Sequence, residues 1–209
     1  MTQQKIITVN CPACLEDSNF KIFSHIDGNQ NRELKEKIFS REIFKFACPK
    51  CGEEILVAYD CTYTDDSGKF VVALISGADE VSSNLTVDGY KFRIVRSINE
   101  FVEKIAAFED EIDDKVIELY KIMLEDQFED ERPDAKILGI YYGGKDFSQN
   151  SLLFFVITEN AENCRAYLSM DTYETIAKQF SSASQKYADA SEINKLWAIG
   201  VLQDGFEEK

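Results

Sequence analysis

Cys11-Pro12-Ala13-Cys14, followed by a second copy of the pattern in Cys48-Pro49-Lys50-Cys51, is the pair of stretches on which the fold turns. Each places two thiols two residues apart. Together they supply the four soft ligands that a tetrahedral zinc prefers, a closed shell with no open position for substrate. Gly52 directly after the second pair suits a left-handed turn residue. Leu15 after the first pair does not, so the first turn is expected to be the less regular of the two. The spacer of 33 residues between Cys14 and Cys48 has room for two strands, or for a strand and a helix. In a zinc ribbon both knuckles sit at hairpin tips, and strand-like sequence flanks both pairs.

The chain is 209 residues long with an ordinary apolar fraction, enough for one large domain or two small ones. No apolar run approaches membrane-spanning length, the stretch Ser151–Ile157 having strand length, and the N-terminus lacks the apolar core of a signal peptide. A cytoplasmic, non-membrane protein is therefore expected. In that reducing setting paired CxxC motifs point to metal before disulfide. A redox dithiol and an iron–sulfur site remain as alternatives. The net charge is −15 and uneven: residues 1–96 carry 12 basic and 14 acidic side chains, residues 97–209 carry 11 and 24. The acidic half repels phosphate backbones and leaves room for a basic protein partner.

The pattern predicts an α+β fold in three parts: a β-rich, zinc-ribbon-like domain over 1–96, a long amphipathic acidic helix over 97–132, and an α+β unit over 133–209. In the first part Lys5–Val9, Phe20–Phe23, Ile43–Phe46, Ile55–Tyr59, Phe70–Ile75 and Tyr90–Val95 read as strands, the last with one wet face. Glu33–Phe39 fits a helix or a strand, and Ser76–Asp88 a loop. Ser97-Ile98-Asn99-Glu100 is a capping box opening an apolar stripe from Phe101 to Met123, with a bend expected within Phe108–Asp114 and an end before Pro133. In the third part Ile137–Tyr142, Leu152–Ile157 and Arg165–Leu168 read as a three-stranded antiparallel sheet, with Gly143-Gly144-Lys145 in the hairpin turn. Two helices follow, one capped by Asp171 and running to about Tyr187, one capped by Asp189 or Ser191, with Ile193, Leu196 and Trp197 in the core.

The twin motifs, the segment Phe46-Ala47-Cys48-Pro49-Lys50-Cys51-Gly52 and the acidic run Phe108–Lys115 resemble the CpXC family, a bacterial and archaeal domain, over about residues 8–130. By that resemblance Cys11, Cys14, Cys48 and Cys51 are the family's paired cysteines. It implies no activity, and residues 133–209 lie outside it. The bland readings of other candidates are preferred. His25, the only histidine, is expected on a surface or loop, Cys61 as a packed side chain, and Cys164 without a partner. The carboxylates of 109–114 and 125–131 are expected to be a solvated helix face. No acid, base or nucleophile set reads as a reaction centre. A structural-zinc module that contacts a protein partner is the leading expectation. A nucleic-acid-binding ribbon using Lys35, Lys37, Arg41, Lys45 and Lys50, and a thiol redox sensor that releases zinc, are the alternatives.

Overall fold

A computed structural model of the chain describes residues 1–77, 87–160, 163–187 and 190–207. The fold is mixed α+β and divides into two compact units, Met1–Val102 and Glu103–Lys209.

In the first unit β1 (Gln3–Asn10) and β2 (Asp17–Asp27) form an antiparallel hairpin. The undecided segment is a helix, α1 (Arg32–Phe39), with i,i+4 pairs Arg32–Glu36 and Glu33–Lys37 on its surface and Ile38 buried beneath it. Glu42–Phe44 then form a 3₁₀ turn, so the expected strand from Ile43 begins only at Lys45. β3 (Lys45–Ala47) and β4 (Glu54–Leu56) make a second, short hairpin. β5 (Cys61–Asp65), β6 (Phe70–Leu74) and β7 (Lys91–Val95) complete a five-stranded sheet in the order β1-β2-β5-β6-β7. The β2–β5 and β6–β7 pairings are parallel. Every side chain of β6 is buried, as its unbroken apolar run requires of an inner strand. β7 departs from its expected wet face, because Arg93 is buried along with Ile94 and Val95. Much of the Ser76–Asp88 loop lies outside the described residues.

The capping box forms: Ser97 Oγ accepts from the Glu100 N–H at 3.2 Å, and Glu100 Oε2 accepts from the Ser97 N–H at 3.0 Å. The helix behind it is two helices, α2 (Ile98–Glu109) and α3 (Asp114–Glu131), where one bent helix was expected. Glu111 takes a left-handed φ of 56°, and the Ile112 N–H reaches back to the Ala107 carbonyl at 2.8 Å. That is a Schellman closure, and Asp113 then caps α3 by accepting from Lys115 N–H.

In the second unit β8 (Ile137–Asp146), β9 (Ser151–Thr158) and β10 (Asn163–Ser169) form an antiparallel sheet in the order β10-β9-β8. Gly143 and Gly144 are not the turn. They lie inside β8 at a register shift, with Gly144 at φ 121° and the Phe155 ring so close that a Cβ on Gly143 would stand 2.5 Å from it. The turn falls at residues 147–150, where Asp146 Oδ1 accepts from the Ser148 and Gln149 amides. α4 (Met170–Gln179) is capped by Ser169 instead of Asp171, and Phe180 separates it from α5 (Ser181–Lys186). Ahead of α6 (Lys195–Glu207), Asn194 Oδ1 accepts from the Trp197 N–H. Ser191 is buried, and Asp189 lies outside the described residues. Trp197 and Ile193 are core, but Leu196 is 78% exposed. Leu119 and Leu124 of α3, Leu152 and Phe154 of β9 and Val201 of α6 share that core.

The acidic stretch of α2 and α3 is not wholly solvated. Glu103, Lys104, Asp114 and Glu118 are buried, with Lys104 Nζ 3.3 Å from Asp114 and 2.9 Å from Glu118. Lys121 Nζ lies 3.0 Å from Glu103 and 3.1 Å from Glu118. Among the described residues no helix is long and apolar enough to cross a membrane.

Candidate metal centre

The Cys11–Cys14 pair forms the tip of the β1–β2 hairpin, and the Cys48–Cys51 pair forms the tip of β3–β4. The tips close by the same bonds. In the first, Cys11 N–H donates to the Glu16 carbonyl at 2.9 Å and Leu15 N–H to the Cys11 carbonyl at 2.8 Å. In the second, Cys48 N–H donates to Glu53 at 2.8 Å and Gly52 N–H to Cys48 at 2.9 Å. Leu15 at φ 59° occupies the left-handed place that Gly52 holds at φ 77°. The expected irregularity of the first turn is therefore absent; Leu15 adopts the glycine conformation with its side chain out in solvent.

The two tips converge. Cys11 Sγ lies 3.6 Å from Cys51 Sγ, Cys14 Sγ lies 3.6 Å from Cys48 Sγ, and all four sulfurs fall within 4.8 Å of one another. A disulfide needs ~2.05 Å, and all four thiols are free. Four thiolates ~2.3 Å from a tetrahedral ion stand roughly 3.8 Å apart. The arrangement is thus one that can hold a metal ion, and among the described residues no other cluster of three or more potential ligands forms.

Backbone amides aim at the sulfurs with the same offset in each tip: Glu16 N–H at Cys14 and Glu53 N–H at Cys51. Cys48 sits low, at about 7, because the Cys51 N–H and then the Lys50 N–H donate to it against the pull of desolvation. Cys51 is pushed up to about 12; the Glu53 N–H lowers it, and the adjoining Cys14 thiol together with desolvation outweighs that. Four crowded sulfurs sharing protons divide in this way, and a cation that binds them displaces those protons.

Under the sulfurs, Val9, Cys11, Phe46 and Cys48 form a small buried cluster, with Phe20 edge-on to Phe46 at 5.6 Å. Lys50 joins the tips through a 2.6 Å ion pair to Glu16, and Asn10 Nδ2 donates to the Leu15 carbonyl at 3.1 Å. These braces have no sequence signature beyond the alternation of β1 and β3. His25 belongs to β2, not to a loop, and its Nδ1 is 2.8 Å from Thr62 Oγ1; desolvation, then the N-terminal ammonium, lowers its pKa. Cys61 is packed and its thiol is pushed up to about 12 by burial. Cys164 has a neighbour after all: Arg132 Nη1 donates to its sulfur at 3.6 Å.

Two hairpin tips that bring four thiols within reach of one ion define a paired-knuckle cysteine-cluster protein. The sequence model of the CpXC protein family matches residues 9–121, more than half of the chain, and the chain belongs to that family. The matched region takes in both cysteine pairs and ends within α3. No curated protein and no solved structure matches the chain.

Proposed function

We propose that Cys11, Cys14, Cys48 and Cys51 hold a structural zinc, and that the zinc-ribbon-like unit it fixes is a non-catalytic module that binds a protein partner. The convergence of four sulfurs within 4.8 Å carries the reading. An iron–sulfur cluster spreads its thiolates over several irons and needs them farther apart, whereas one tetrahedral ion fits this spacing. Zinc in such a site contributes on the order of 10 kcal/mol of folding free energy. The acidic excess of residues 97–209 favours a basic protein partner.

The nucleic-acid reading loses support from the fate of its basic residues. Lys37 pairs with Glu33 at 2.9 Å, Lys45 with Glu54 at 2.7 Å and Lys50 with Glu16 at 2.6 Å, while Arg41 bonds Asn99. A redox role has one observation in its favour: Cys51 is exposed and Cys14 half-buried, so an oxidant can reach two of the ligands.

Native mass spectrometry of the reduced protein tests the metal. One zinc per chain is expected, removed by chelator and absent from Cys48→Ser. Full zinc retention in that variant, or a metal-free chain with unchanged thermal stability, would overturn the assignment. Zinc release by peroxide at stoichiometric dose would move the reading to the redox sensor.

A further inference from the structure

Residues 103–209 contain 11 basic side chains but just two arginines, Arg132 and Arg165. Both line one cavity of about 350 Å³ between the C-terminal half of α3 and β10, the edge strand of its sheet. They are 33 positions apart in a unit with twice as many carboxylates as cations, so their meeting is a product of the fold. Buried Leu124 and Val156 supply apolar surface to a mixed lining that also includes Gln127 and Glu131, where Gln127 Nε2 donates to Glu131 Oε1 at 2.9 Å. Tyr120, Phe128 and Tyr167 supply rings along its walls, and both arginines stand exposed at its rim. The Arg132 guanidinium is set in place, 5.5 Å from the Phe128 ring centroid and donating to Cys164 Sγ.

We propose that this cleft is a binding site for a small planar anion: a flat ring seated against Leu124 and Val156 among the aromatic side chains, with a phosphate or carboxylate held by the arginines at the rim. The guanidinium fork matches both oxyanions in the same bidentate way, while a lysine ammonium does not. The cavity lies at the lower end of the range that small-molecule sites occupy, ~300–1,000 Å³, which is enough for a nucleoside monophosphate or an aromatic acid and too small for a dinucleotide. Ring stacking against tyrosine and phenylalanine adds to burial. All the lining residues belong to Glu103–Lys209, and the proposal does not depend on the metal reading.

Calorimetric titration of the full chain with adenosine 5′-monophosphate and, separately, with salicylate distinguishes the phosphate source from the carboxylate source. Inorganic phosphate and adenosine serve as the half-ligands. One of the two complete probes is expected to bind at one per chain, at least about tenfold tighter than either half-ligand. Arg165→Gln and Arg132→Gln should each weaken it about tenfold or more, the effect of losing a charged hydrogen bond. Cys164 reports occupancy independently, because a ligand in the cleft should slow its alkylation by N-ethylmaleimide, followed by peptide mass spectrometry. Failure of both complete probes to bind, or binding that Arg165→Gln leaves intact with Cys164 alkylation unchanged, would sink the proposal. Arg165 is exposed, so its variant stays informative if Arg132→Gln proves unstable.

Discussion

Leu15 and Gly52 perform one task with different means. Both sit at the residue after a CxxC pair, and both donate to the carbonyl of the pair's first cysteine from a left-handed backbone. That conformation costs an L-residue about 1–2 kcal/mol, while glycine gives back roughly 0.5–1 kcal/mol in lost chain entropy. Leu15 is 74% exposed and contributes little packing in return. Leu15→Gly should therefore stabilise the protein by about 0.5–1 kcal/mol in urea denaturation. The mirror change isolates the cause. A Cβ on Gly52 meets nothing within 4 Å, so any loss in Gly52→Ala, expected at about 1 kcal/mol, comes from φ and not from a clash. Equal stability of Leu15→Gly and the parent would show that the first knuckle bears no backbone strain. The two cysteine pairs were legible from spacing alone, because two-residue spacers are a local constraint; that they meet in one cluster is the work of the fold. The equivalence of the two turns was not, since a leucine in a glycine's place carries no local signal.

The paired helices α2 and α3 show what an element's sequence reveals and what it conceals. The capping box at Ser97 and Glu100 is legible because its partners are three residues apart. The break at Glu111 is not, because a glutamate there gives no hint of a left-handed Schellman residue. Nor does helical periodicity tell a solvated carboxylate from a buried one; that depends on which cation the fold carries to it. Glu118 shows the outcome. Burial alone would raise its pKa, but Lys104 and Lys121 hold it below its ordinary 4.5. Glu103 is raised, first by desolvation and with Glu118 opposing its charge, although Lys121 and the Tyr142 N–H pull the other way. The two therefore act on stability with opposite sign. Glu118 contributes stability that is complete above its unfolded value and lost as pH falls through its lowered folded value. Glu103's contribution is complete below its unfolded value and lost as pH rises through its raised folded one. Lys104→Met removes the nearest cation from Glu118 and should cost about 3–5 kcal/mol at pH 7. Without that ammonium the Glu118 carboxyl moves upward, so part of the loss should be recovered at pH 5. Urea melts at both pH values measure it, and an equal loss at each would mean that the cost is packing and not charge.

At the scale of the molecule the cysteine tips and the apolar cores rest on different physics. Individual strands were legible from alternation, but the parallel pairings of β2 with β5 and of β6 with β7 join segments that no local pattern connects. The same holds for β8, whose continuation through Gly143 and Gly144 depends on the Phe155 ring of the strand beside it. Around the thiols the buried cluster comprises Val9, Cys11, Phe46 and Cys48, two of which belong to the four-cysteine cluster itself. In Glu103–Lys209 a broad apolar core runs from Ala107 to Val201 without any metal-ligating cluster among the described residues. The core of Glu103–Lys209 draws on no such cluster, whereas the apolar contacts at the two cysteine tips are too few to order those tips alone. Removing the zinc proposed for the four-cysteine cluster should accordingly act on one region. In hydrogen exchange with chelator present, amides of β3, β4 and the two tips should lose protection by a hundredfold or more, as expected when several kcal/mol of local stability are removed. Amides of β8, β9 and β10 should keep their rates within about twofold, because their ladder hydrogen bonds are covered by α3 and α6 and not by the thiol cluster. Re-adding zinc should restore the first set at one equivalent. If chelation instead leaves β3 and β4 protected, the short hairpin is held by its aromatic neighbours Phe20 and Phe46, and the ion is not what shapes that end of the chain.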